Sequence, residues 1–140
     1  MIVLFKYKLI VSTNAMKNPH LIISTILVAA IALAYGIFPG KLSHMLFDFE
    51  VITTDAHNIF RAAMGLYLAM IFIWIAGILK PHFWETATIT NIFFMVGLAA
   101  GRLVSFVADG IPSLSLVIGF GIEILLAVWG YYNWKKYSIK

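Results

Sequence analysis

Three ionisable residues stand inside long apolar stretches of the chain: Arg61, Arg102 and Glu123. A guanidinium offers a planar fork of donors that suits carboxylate or phosphate oxygens. A buried carboxyl can pair with such a fork or hold a proton. Polar residues recur around them at helical spacing. Asn58 and Arg61 are three apart, Gly65 continues that face, and Ser105 and Asp109 follow Arg102. The spacing gathers Asn58, Arg61, Arg102, Ser105, Asp109 and Glu123 into one candidate ligand-binding cluster. Its expected ligand is small and anionic or amphipathic.

Other chemistries lack their residues. The chain has no cysteine, which excludes disulfides, thiolate metal sites and Cys nucleophiles. His20, His44, His57 and His82 do not pair within a span at ligand spacing, so haem is not expected. His44, His57, Asp48 and Asp55 form at most a weak metal set, and neither a metal nor a cofactor is expected. Ser105 has no histidine nearby to act as its base. No catalytic residue is assigned, and a lipid- or quinone-linked enzyme is the least favoured reading.

The elements that carry these charges follow from composition. Of 140 residues, 62% are hydrophobic and 11% charged, against about 25% charged in soluble domains. A water-soluble domain is therefore excluded. A membrane helix needs about 20 apolar residues. Four stretches qualify, at about 21–38, 56–79, 86–108 and 113–134, with stop signals at Pro39-Gly40, Lys80-Pro81 and Asp109-Gly110-Ile111-Pro112. The expected fold is an all-α integral membrane four-helix bundle in a single domain. The loop at 39–55 carries Leu42, Met45, Leu46 and Phe49 at helical spacing, which suggests a short surface helix. The apolar first ten residues are too short to cross and fit an interfacial segment as well as a frayed tail. The first span is read as retained rather than as a cleaved signal.

Four spans place both termini on one side. That side holds Lys6, Lys8, Lys17, Lys80, Lys135, Lys136 and Lys140, and the other holds Lys41 with Asp48, Glu50, Asp55 and Asp109. The bias puts both termini in the cytoplasm of a bacterial inner-membrane protein. It also accounts for the net charge of +4 without a nucleic-acid partner. Arg61 and Arg102 then lie about 10 Å below the outer boundary, and Glu123 about 16 Å. Charges at that depth cost several kcal/mol facing lipid, so they are expected to face one another. An outward-facing cationic pocket and a ligand-free ionic lock in an accessory subunit are the two competing readings.

Gly97 and Gly101 form a G-x-x-x-G spacing, and Gly119 precedes Glu123 by one turn. With Gly65 they are the expected helix-packing positions, within the bundle or in an oligomer or with a partner membrane protein. Trp84 and Trp134, with Tyr131, Tyr132 and Tyr137, read as interface anchors, and Trp74 and Trp129 as deeper residues.

The segments "DAHNIFRAAMGLYLA" (55–69) and "GRLVSFVADGIPS" (101–113), followed by Glu123, resemble the bacterial DUF4345 family of four-span membrane proteins. That family is similar in plan to the DoxX-like small membrane proteins. The resemblance covers about residues 20 to 135. It implies a four-helix membrane bundle and brings no established activity, so it does not choose between pocket and lock.

Overall fold

The computed structural model describes residues 16–41 and 49–138. The segment 1–10, His44, Asp48 and the surface helix expected around Leu42, Met45 and Leu46 lie outside the described residues. Four long helices make up the bundle: α1 (Pro19–Ile37), α2 (Thr54–Leu79), α3 (Trp84–Ala108) and α4 (Leu114–Tyr137). Each is long and apolar enough to cross a membrane. A 3-10 turn, Pro81–Phe83, joins α2 to α3, and the described residues contain no strand.

Local chemistry sets the helix ends. Pro19 occupies the first turn of α1, where its missing N–H costs nothing. The Thr53 hydroxyl accepts a hydrogen bond from the Ala56 N–H at 3.1 Å, so α2 begins two residues before the apolar run at Ala56. Pro81 ends α2, because it disfavours helical backbone at Lys80. Between α3 and α4 the chain turns at Gly110, whose φ of 98° is open only to glycine at low cost. Helix α4 continues through Lys135 and Lys136 to Tyr137, since cations suit a helix C-terminus.

The helices pack in chain order, α1 on α2, α2 on α3 and α3 on α4, while α1 meets α4 only sparsely. The core contains Leu21, Val28, Ile71, Trp74, Trp84, Met95 and Leu126. Aromatic rings lock α1, α2 and α3 together. Tyr35 stands edge-on to Phe60 at 5.2 Å, and Tyr67 and Trp74 flank Phe94 at 5.1 and 5.3 Å. Trp84 is buried within the bundle at 3% exposure, and Trp129 stands exposed on its surface.

The close helix approaches occur at glycines other than those singled out by spacing. Gly36 packs on Met64, Gly77 on Ala87 and the Phe83 carbonyl, and Gly130 on Ile92 and His20. Nothing lies within 4 Å of a side chain built at Gly65, Gly97 or Gly101. Those three therefore hold no helix pair together among the described residues. Gly119 does face a neighbour, the Arg102 guanidinium.

Candidate functional site

Arg102 on α3 and Glu123 on α4 meet in an ion pair. Arg102 Nε donates to both carboxylate oxygens of Glu123, at 2.9 and 3.0 Å. Glu123 is buried, and the Arg102 side chain is 22% exposed. The pairing follows from the short α3–α4 turn. It sets the helices antiparallel and leaves the two residues at nearby heights, counted from Asp109 and Ser113. Gly119, one turn before Glu123, lies beside the guanidinium, which a Cβ there would meet at ordinary van der Waals distance. The Tyr35 hydroxyl of α1 is a hydrogen-bond partner of Arg102. Nε serves the carboxylate, and one terminal amine of Arg102 lies beside Gly119.

A cavity of about 90 Å³ opens beside the pair. Its polar wall is Arg102, Glu123, Tyr35 and Tyr67. Its apolar walls include Leu27, Val28, Ile31, Met95, Ile122 and Leu126. The volume matches about three waters, or one small polar group with a few carbons. It does not take a whole lipid. Leu27, Ile31 and Ile122 remain 39%, 43% and 39% exposed, so the cavity reaches the outside through the sparse α1–α4 seam. Within the chain, the pair is nearly neutral as a unit, and the pocket is less cationic than two arginines against one acid would make it.

The six-residue cluster divides into three places. Arg102 and Glu123 line the cavity. Arg61 and Asn58 are exposed and line a separate groove with Thr54 and His57. The reason is rotational. Tyr67 and Trp74 mark the core face of α2, and Arg61 stands six residues before Tyr67, which turns it about 120° off that face. Ser105 and Asp109 are also exposed. The Ser105 hydroxyl donates to Asp109 at 2.9 Å, and the Asp109 N–H donates to the Ser105 carbonyl at 2.7 Å. They finish α3 and do not reach the cavity.

A second polar group lies in the other half of the bundle, toward Lys80. His20, Ser24, Thr88 and Asn91 are fully buried, and Asn133 is nearly so. His20 Nδ1 pairs with Asn133 Nδ2 at 2.9 Å, and His20 Nε2 with the Thr88 hydroxyl at 3.3 Å. Ser24 donates to Asn91 at 3.4 Å. The network ties α1 to α3 and α4, and Gly130 lies close against Ile92 and beside the His20 ring. Outside the spans at this end, Lys17 stacks over Trp84 at 5.1 Å, and burial lowers its ammonium from the usual lysine value. Spacing gave one signal for the network. Asn91, Met95, Leu98 and Arg102 form a continuous stripe at helical spacing along α3, but Thr88, one turn before Asn91, is not part of that signal. Ser24 and Asn133 look like ordinary polar residues of apolar helices and carried none. No group of three His, Asp or Glu residues among the described residues is placed to hold a metal.

Residues 16–133 match the family described as Domain of unknown function (DUF4345). The match covers most of the chain, and the chain belongs to this family. No curated protein and no solved structure matches it.

Proposed function

We propose that this DUF4345 protein takes a small amphipathic or anionic molecule from the bilayer into the cavity beside Arg102 and Glu123. The polar head of that molecule meets the Arg102 terminal amines and Tyr35. Its apolar part leaves through the α1–α4 seam. Both termini lie in the cytoplasm, which places the cavity in the outer half of a bacterial inner membrane. The observation that carries this reading is the shape of the cavity: polar on one wall, apolar on the others, and open sideways. A ligand of this kind keeps its tail in lipid while its head gains charge-assisted hydrogen bonds in a low-dielectric site.

The pair's near-neutrality favours one alternative, an ionic lock without ligand in an accessory subunit. Thermal shift of the detergent-solubilised protein separates the two. Under the binding reading, single-chain amphiphiles with carboxylate or phosphate heads raise the melting temperature, and Arg102→Gln abolishes the rise while the protein stays folded. No rise with any head group, together with loss of the fold on Arg102→Gln, establishes the lock instead.

A further inference from the structure

Arg61 poses a problem that the cavity does not solve. It lies seven residues after Thr54, about 10 Å along α2 from its start, and it is exposed on the outside of the bundle. Among the described residues Arg102 and Glu123 form the only ion pair, so Arg61 has no acid partner there. A guanidinium at such depth facing lipid is costly unless it snorkels to the headgroup layer or an anion meets it. Around it is a groove of about 280 Å³ lined by Thr54, His57, Asn58 and Arg61. These side chains are all polar and none is acidic.

We propose that this groove is a phosphate site, filled by the headgroup of a phospholipid in the leaflet on the Thr54 side. Arg61 forks onto the phosphate oxygens, and Asn58 and Thr54 supply further hydrogen bonds. The ligand chemistry is a phosphate oxyanion, which a lipid or free phosphate can supply. Two features favour the lipid. A phosphodiester carries one negative charge, which one guanidinium balances. The groove also shares its face of α2 with Phe72, eleven residues further along the helix and 72% exposed, which offers acyl chains an apolar surface below the headgroup.

The test is native mass spectrometry of the full chain released from mild detergent, titrated with phosphatidylglycerol, phosphatidylcholine and diacylglycerol. Both phospholipids are expected to bind, and diacylglycerol, which lacks the phosphate, about tenfold more weakly. Arg61→Gln is expected to remove that tenfold preference, and Arg61→Lys to keep part of it. Equal binding of diacylglycerol by the wild-type chain overturns the phosphate assignment without any variant. Full competition by millimolar inorganic phosphate overturns the lipid as its source. An unchanged preference in folded Arg61→Gln overturns the site. The cavity has its own readout in Arg102→Gln, so failure of either assignment leaves the other standing.

Discussion

Arg102 and Glu123 each stabilise the other's charge, and removing either one strands a charge or a buried carboxyl. Glu123→Leu alone is expected to lower unfolding stability by about 2 kcal/mol, below the range for a fully buried pair because Arg102 keeps some exposure. The double change Arg102→Leu with Glu123→Leu should recover most of that loss, measured by thermal unfolding in detergent. A double variant as unstable as the sum of the singles would show that the two act independently. His20→Ala is expected to cost about 2 kcal/mol in the same measurement, because Asn133 and Thr88 lose a partner in a dry interior. The two sites differed in how far the sequence exposed them. A charge in an apolar span stands out by type alone, which singled out Arg102 and Glu123. Thr88, Ser24 and Asn133 are neutral, common in such helices, and meaningful only once three helices bring them to His20. The direction of Arg61 depended on the rotation of α2, which is set by where Tyr67 and Trp74 pack and cannot be taken from the spacing of Asn58 and Arg61.

At the scale of helices and turns, four apolar runs were legible because hydropathy and length are local properties. Packing partners were not, since a glycine's use depends on what lies opposite. Gly77 sits against Ala87 and the Phe83 carbonyl. Gly77→Val is expected to part α2 from α3 and cost about 3 kcal/mol. Gly97→Val meets open space and should cost less than about 1 kcal/mol in a dispersed monomer. Side-by-side melting of the two variants checks the contrast. A large loss from Gly97→Val would place that face in an oligomer contact. At the α3–α4 turn, Gly110→Ala is expected to cost about 1 kcal/mol, because its φ of 98° disfavours any side chain.

For the whole molecule, the proposed topology sets the start of α1 and the end of α4 on one side of the bilayer and the Gly110 turn on the other. Reporter fusions after Lys140 and after Lys80 should give the cytoplasmic signal, and a fusion at Gly110 the opposite one. A cytoplasmic signal at Gly110 would invert the bundle and move the cavity to the inner leaflet. The fold class followed from composition because a chain with so few charges has too little polar surface to cover itself in water. The division into a cavity half and a buried hydrogen-bonded half came only from tertiary packing.

The α1–α4 seam is closed unevenly. Near Lys80 it is pinned by the His20–Asn133 bond and by Gly130 against the His20 ring. Beside Glu123 it meets across Leu27, Ile31 and Ile122, which have no polar link to break. Widening the seam there costs dispersion contacts and loads only an indirect polar link, from Tyr35 through Arg102 to Glu123. Ligand tails of different length and branching should therefore be tolerated with similar affinity, while small changes of head chemistry at Arg102 should alter affinity sharply. Discrimination in this bundle would reside at one end of its guest.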